Sequence, residues 1–110
     1  MVAHLTPTEL IDELDKYTLL DVREQDEWDA GHAPQATHYP MSKMMIEGIE
    51  GIDLNQSFAI ICRSGGRSYQ VAETLEDADI TVFNVTGGMQ AWKAEGLQVV
   101  DAAGQPGIVI

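Results

Sequence analysis

A short apolar run, Phe58-Ala59-Ile60-Ile61, leads directly into the segment Cys62-Arg63-Ser64-Gly65-Gly66-Arg67-Ser68 and then into residues with helical spacing. This order predicts a buried strand that passes through a glycine-containing turn into a helix. Ligands of open α/β sheets bind outside the carboxyl ends of the strands, where such turns lie. The single cysteine of the chain is therefore expected at a ligand-binding edge of a sheet.

The Cys62 loop, residues 62–68, also concentrates positive charge. Two of the three arginines in the chain, Arg63 and Arg67, lie within five positions of Cys62. Nearby cations and inward-facing N–H groups at a helix N-terminus lower a cysteine pKa from about 8.5 to roughly 3.5–7.5. We therefore expect a nucleophilic thiolate at Cys62. The alternative interpretation is an inert cysteine buried in the core.

The rest of the chain alternates between strand and helix patterns. A capping box at Thr6-Pro7-Thr8-Glu9 predicts the first helix. The strands predicted after it are Thr18–Val22, Ala36–Tyr39, Phe58–Ile61, Thr81–Val85 and a short closing strand Gln98–Val100, and the helices are Glu24–Ala30, Met41–Ile49, Val71–Ala78 and Gly87–Gly96. Such alternation predicts an α/β fold in which helices cover both faces of a central parallel β-sheet.

The length of the chain predicts one domain over residues 1–110. Its core is expected at about residues 5–100, followed by a C-terminal tail at 101–110 that lacks helical periodicity. The segment 47–53, which contains two glycines, is predicted to be the loop before the Cys62 strand.

For several residues outside the Cys62 loop, the sequence predicts a structural role. Asp21 is expected to hold Arg23 or to cap the next helix, and His32 is expected to be a hydrogen-bonding strut at a turn. Trp28 is expected in the core, with Gly31 as the left-handed residue that ends its helix. The methionines of 41–49 are expected to pack on the sheet, although methionines also form adaptable partner surfaces.

Metal and cofactor sites are not expected. His4, His32 and His38 show no zinc-binding spacing with one another or with Cys62. A single cysteine cannot form a disulfide within the chain, which fits a reducing compartment. It also excludes a mechanism that needs a second, resolving cysteine within this chain.

The charge balance limits the classes of partner. There are 18 acidic and 6 basic residues, for a formal net charge of −12, which argues against nucleic acid or an anionic membrane surface. The sequence shows neither a signal-peptide pattern nor an uncharged run of the ~20 residues that a membrane span needs. We therefore expect a cytoplasmic protein.

The Cys62 loop resembles the active-site loop of the rhodanese family of sulfurtransferases. Three further segments resemble the flanking signatures of that family and occur in the same order: Leu19-Leu20-Asp21-Val22-Arg23, Glu27-Trp28-Asp29-Ala30-Gly31-His32-Ala33-Pro34 and Thr86-Gly87-Gly88-Met89-Gln90-Ala91-Trp92. The resemblance spans about Leu5 to Val100. The sequence departs from it at Ala33, where the family usually has Ile, and at Gln35, where it has Gly.

The resemblance implies a rhodanese-like fold and a covalent mechanism. Cys62 would attack the outer sulfur of an anionic donor such as thiosulfate, become a persulfide, and pass that sulfur to cyanide or a thiol, which could belong to a protein. The backbone N–H groups of residues 63–67 would stabilise charge on the sulfur. Arg63 and Arg67 would orient the anionic donor, and the other substrate-binding residues would be Ser64, Gly65, Gly66 and Ser68.

Two alternatives remain open. Cysteine phosphatases and arsenate reductases also use a loop from cysteine to arginine, but theirs enclose one residue more than the four found here, Arg63 to Gly66. The shorter loop favours a persulfide sulfur over a tetrahedral oxyanion. The second alternative is a regulatory module or a sulfur relay that serves a protein partner.

Overall fold

The computed structural model describes residues 2–48, 53 and 55–110. The strands are β1 (Ala3–Leu5), β2 (Tyr17–Asp21), β3 (Thr37–His38), β4 (Ser57–Ile61) and β5 (Val82–Val85). The helices are α1 (Pro7–Asp12), α2 (Gln25–Ala30), α3 (Met41–Glu47), α4 (Gly66–Asp77) and α5 (Gly88–Ala94), with a 3₁₀ turn at Leu14–Lys16. The strands are parallel in the order β1-β5-β4-β2-β3. The predicted α/β fold with a parallel sheet is confirmed.

The two faces of the sheet carry separate cores. In β4 and just after it, Phe58, Ile60 and Cys62 pack on one face, while Ala59 and Ile61 pack on the other, as the two-residue period of a strand requires. The first core continues with Val71, Ala72 and Leu75 of α4, and the second with Leu10 of α1 and Met89 and Trp92 of α5. Helices therefore cover both faces, as predicted.

The first helix begins with the predicted capping box. The Thr6 side chain accepts a hydrogen bond from the Glu9 backbone N–H, and the Glu9 carboxylate accepts one from the Thr6 N–H. β1, which precedes this box, was not predicted. That strand has only three residues and shows no alternation of burial, so it carries no periodic signal.

The prediction for Gly31 was wrong. Its φ is 175°, which is extended backbone, and not the left-handed conformation. A glycine is required there for a different reason, because a Cβ atom would lie 2.2 Å from the backbone oxygen of Ile108. The tail passes too close to the end of α2 for any side chain at this position.

Trp28 was also assigned wrongly to the core. It is half-buried, and its ring stacks with the rings of His32 and His38, whose centroids lie 3.5 and 4.7 Å away. His32 Nδ1 lies 2.8 Å from the Trp28 backbone oxygen, and His38 Nε2 lies 2.8 Å from that of Arg23. His32 is therefore a hydrogen-bonding strut, as predicted.

The tail packs back onto the domain. The predicted closing strand Gln98–Val100 forms only isolated antiparallel bridges, in which Val100 pairs with His32 and Pro106. The backbone N–H of Ile108 donates to Ala30, and Val109 packs against the second core. The end of α2 and the residues after α5 are thus held together by the tail.

Only part of the predicted methionine face of α3 packs on the sheet. Met41 and Met44 pack against the first core, but Met45 and Ile46 are 78% and 86% exposed. Ile49 and most of the predicted loop at 47–53 lie outside the described residues. Across residues 2–48, 53 and 55–110, no helix has the length and apolar character of a membrane span.

Candidate active site

Cys62 follows the last residue of β4, and its sulfur is enclosed by the start of α4. The residue is 1% exposed. Its Sγ accepts a hydrogen bond from the Gly65 backbone N–H at 3.1 Å and lies 3.2 Å from Ser68 Oγ. Gly65 has φ 114°, a value that side chains rarely tolerate, and this turn aims its N–H at the sulfur. The predicted arrangement, with α4 starting beside the thiol, is present.

Opposing effects act on the thiol. Burial raises the pKa of Cys62, because a buried thiolate loses hydration. Hydrogen bonds from the Ser68 hydroxyl and from the backbone N–H groups of Ser68, Gly65 and Ser64 act in the other direction and prevail, so the pKa of Cys62 lies below its ordinary value. The thiolate is therefore favoured mainly by Ser68 and the loop backbone, rather than by the arginines that the sequence analysis emphasised.

Arg67 is held by a carboxylate from another helix. Its Nη1 and Nη2 donate to the two carboxylate oxygens of Glu27 in α2, at 2.6 and 2.8 Å. These hydrogen bonds lower the pKa of Glu27 and raise that of Arg67. Glu27 was not among the predicted site residues, although it lies in one of the flanking signatures. The ion pair joins α2 to α4 beside the thiol.

Arg63 is exposed and makes a different contact. Its Nε donates to the backbone oxygen of Ile110 at 3.0 Å. Both loop arginines, which were expected to orient a donor, therefore have partners in the protein. A donor that binds Arg67 must compete with Glu27 for its Nη groups.

The N-terminus of α5 packs against the Cys62 loop and donates hydrogen bonds to its backbone. The backbone N–H groups of Met89 and Gln90 donate to the carbonyl oxygens of Cys62 and Arg63 at 2.7 and 3.0 Å. Gly88 has φ 57°, and a Cβ atom there would lie 2.4 Å from the Cys62 oxygen. Only glycine allows this approach, so the turn before α5 packs directly against the backbone of the Cys62 loop.

A line of polar side chains continues beyond the thiol. Ser68 Oγ lies 2.6 Å from Asn84 Oδ1 in β5, and Asn84 Nδ2 lies 3.4 Å from His4 Nδ1 in β1. The His4 ring stacks on Tyr69, with centroids 5.9 Å apart. Neither Asn84 nor His4 was among the predicted site residues. The one available signal was a polar residue, Asn84, in an otherwise apolar strand.

Asp21 and Arg23 form a fully buried ion pair at the end of β2. Arg23 Nη2 donates to Asp21 Oδ2 and to the Gly31 carbonyl oxygen, each at 2.7 Å. The pair thus ties β2 to the end of α2. This agrees with the predicted interpretation that Asp21 holds Arg23.

The described residues contain no group of three or more His, Cys, Asp and Glu side chains placed to hold a metal ion. An open, mainly apolar groove of about 290 Å³ lies between α3 and α4 and is lined by Met41, Met44, Met45, Gln70, Val71 and Thr74. Cys62 does not line it. The Cys62 loop, where a thiol meets several hydrogen-bond donors, is therefore the candidate site.

Known proteins resemble this chain over most of its length. The family model for the rhodanese-like domain matches residues 6–95. YtwF of Bacillus subtilis is 42% identical over 77 residues, which cover 70% of this chain and 74% of that protein. The thiosulfate sulfurtransferase GlpE of Coxiella burnetii is 33% identical over 94 residues, which cover 84% of this chain and 86% of that protein.

Solved structures agree with the sequence matches. The crystal structure of a rhodanese-related protein from Thermoplasma volcanium has a TM-score of 0.83 and 31% identity, covering 89% of this chain and 97% of that one. The segment matched by the family model includes the whole Cys62 loop.

Proposed function

Because this chain belongs to the rhodanese-like domain family, we propose that it is a sulfurtransferase that carries a sulfane sulfur on Cys62 as a persulfide. The observation that supports this most directly is the position of Cys62 Sγ, which receives the Gly65 N–H and faces the Ser68 hydroxyl. Family membership also favours sulfur transfer over phosphatase chemistry. We also propose a cytoplasmic location, because a reducing compartment would keep the lone thiol available.

The proposed reaction has two steps. The Cys62 thiolate attacks the outer sulfur of thiosulfate, a new S–S bond forms, and the bond between the two donor sulfurs breaks, so that sulfite leaves with the electron pair. Cyanide or a thiolate then attacks the outer sulfur of the persulfide. Thiocyanate or a new persulfide is released, and the Cys62 thiolate is restored.

The loop backbone supplies what both steps need. The thiolate is the leaving group of the second step, so donors that stabilise it also make the persulfide easier to attack. The Gly65 N–H is already directed at Sγ and requires no rearrangement when charge returns there.

The direct test is the mass of the intact protein after incubation with thiosulfate and then with cyanide. We expect a gain of one sulfur atom per chain, which cyanide removes with the release of an equal amount of thiocyanate. A thiol that alkylates readily at neutral pH but gains no sulfur would contradict thiosulfate as the donor. A thiol that neither alkylates nor gains sulfur would contradict the covalent mechanism.

The Glu27–Arg67 ion pair gives a prediction about anionic donors. Glu27 competes with the donor for Arg67, so Glu27→Gln is expected to lower the KM for thiosulfate about fivefold, equivalent to about 1 kcal/mol for a partly exposed charge interaction. Arg67→Ala is expected to raise that KM. Steady-state kinetics at constant ionic strength measures both changes.

The matched control for Glu27→Gln is Glu73→Gln, which removes the same charge from an exposed position on α4. It is expected to leave the KM for thiosulfate nearly unchanged. If Glu27→Gln raised the KM as Arg67→Ala does, Glu27 would be holding Arg67 in its working position, and the idea of competition would be wrong.

A protein thiol is the second candidate for the acceptor. Met45 and Ile46 on α3 favour it, because large apolar side chains that are 78% and 86% exposed suit contact with another protein. Methionine surfaces also adapt to partners of different shape. In that case the persulfide would form on the same Cys62, and only the second step would differ.

A further inference from the structure

The Ser68 hydroxyl lies within hydrogen-bonding distance of three acceptors. Ser68 Oγ lies 2.6 Å from Asn84 Oδ1, 3.2 Å from Cys62 Sγ and 3.2 Å from the Gly65 carbonyl oxygen. A serine hydroxyl has one hydrogen, so it donates to one of these acceptors at a time. While Cys62 is a neutral thiol, the Asn84 oxygen, at the shortest distance, is the favoured acceptor of this hydrogen.

This arrangement changes when Cys62 ionises. A thiolate is a charged acceptor and attracts the Ser68 hydrogen more strongly than a neutral amide oxygen does. Once the hydrogen points to Sγ, Ser68 Oγ and Asn84 Oδ1 would face each other at 2.6 Å with no hydrogen between them, which is unfavourable in a buried site. Ser68 is fully buried and Asn84 is 4% exposed, so water does not relieve this contact.

A rotated Asn84 amide removes the conflict. Exchanging the positions of its oxygen and nitrogen lets Nδ2 donate to Ser68 Oγ, while the Ser68 hydroxyl donates to Cys62 Sγ. The Asn84 oxygen then faces His4 Nδ1, which lies 3.4 Å from the amide across the β1–β5 pair. His4 satisfies that oxygen when it carries a hydrogen on Nδ1, and it favours the opposite orientation when its hydrogen is on Nε2.

We propose that Asn84 is a positioning residue for Cys62: its side-chain amide, oriented by His4 Nδ1, determines whether the Ser68 hydroxyl donates to the sulfur. The relay therefore runs from His4 through Asn84 and Ser68 to Cys62. The stacked ring of Tyr69 holds the His4 imidazole in place. The proposal deepens the proposed function, on which it rests only in that the thiolate is the reacting group.

The test is a double-mutant cycle read by the ionisation of Cys62. Asn84→Asp keeps the shape of the side chain but removes its ability to donate, so the Ser68 hydrogen stays on the carboxylate. We expect the pH midpoint for alkylation of Cys62 by iodoacetamide to rise by more than one unit, which means at least about a tenfold loss of thiolate at a given pH. Because Cys62 is the only cysteine in the chain, the alkylation rate reports on it alone.

The Ser68→Ala background separates the relay from the added charge. Through-space repulsion by a new carboxylate remains when Ser68 is absent, whereas competition for its hydrogen disappears. We therefore expect Asn84→Asp to shift the midpoint clearly less in Ser68→Ala than in the Ser68 protein. Equal shifts in both backgrounds, or no shift in either, would overturn the proposal. Arg67, whose charge interacts with that of Cys62, is unchanged in every variant.

A second variant avoids any loss of core stability. His4 is exposed at the edge strand, and His4→Phe keeps a ring to stack on Tyr69 while removing Nδ1. Without Nδ1 neither orientation of the Asn84 amide is fixed from this side, so we expect a shift of the same midpoint that is smaller than that of Asn84→Asp. A midpoint equal to that of the unmodified protein would overturn the role given to His4. These assays use no sulfur donor. A chain that fails to accept sulfur from thiosulfate could still show the relay, and the reverse is also true.

Discussion

Cys62→Ser is expected to gain no mass on incubation with thiosulfate and to lose at least about a thousandfold in kcat/KM for thiocyanate formation. A serine hydroxyl does not ionise near neutral pH and forms no stable adduct with a sulfane sulfur, so neither half-reaction proceeds. The fold should persist, because the serine fits the same space and can still accept from the Gly65 N–H. Intact-protein mass and the rate of thiocyanate release measure the two losses separately.

Unsubstituted protein blocked with iodoacetamide is the matched control for Cys62→Ser. Blocking modifies only Cys62, since the chain has no other thiol, and it is expected to abolish transfer to the same extent. Transfer by Cys62→Ser within tenfold of the unmodified protein would show that sulfur moves without a covalent enzyme intermediate.

Arg23→Met is expected to lower the free energy of unfolding by about 3–5 kcal/mol. Asp21 and Arg23 are both fully buried, so the substitution leaves the Asp21 carboxylate without its counterion. It also leaves the Gly31 carbonyl oxygen without its 2.7 Å donor at the end of α2. Denaturation by urea, followed by circular dichroism, measures the change.

The control variants distinguish loss of a partner from loss of a charge. Lys93→Met removes an exposed cation from α5 and is expected to change the unfolding free energy by less than about 0.5 kcal/mol. Asp21→Val combined with Arg23→Met is expected to recover at least about 1 kcal/mol of the loss, because no unpaired charge is then buried. A loss below about 1 kcal/mol for Arg23→Met alone would contradict this account of the pair.

The sequence predicted most of the sheet because its central strands have strong local signals. Thr18–Val22 and Phe58–Ile61 are short runs of mainly apolar or β-branched residues, and the observed β2 and β4 coincide with them to within one residue at each end. The misses depend on distant parts of the chain. β1 forms only by pairing with β5, and Gly31 is dictated by the passage of Ile108, which no local pattern encodes.

The candidate site was also predicted only where its features depend on local sequence. The position of Cys62 and the glycine turn after it follow from local sequence, because both belong to one strand-to-helix junction. The partners of that junction do not, since Glu27 is 40 residues from Arg67 and Asn84 is 16 residues from Ser68. Charge proximity in sequence suggested that the arginines act on the thiol, whereas the folded chain gives each arginine another partner.

The residues of β4 face the two cores alternately, so the length of this strand decides which face the thiol joins. Cys62 lies on the same face as Phe58 and Ile60, because it follows each of them by an even number of residues. One inserted or deleted residue within this strand would exchange its two faces. The strand is apolar on both sides and would still be buried, but the thiol would turn away from Ser68. A descendant with such a length change would keep the architecture and lose the chemistry in one event.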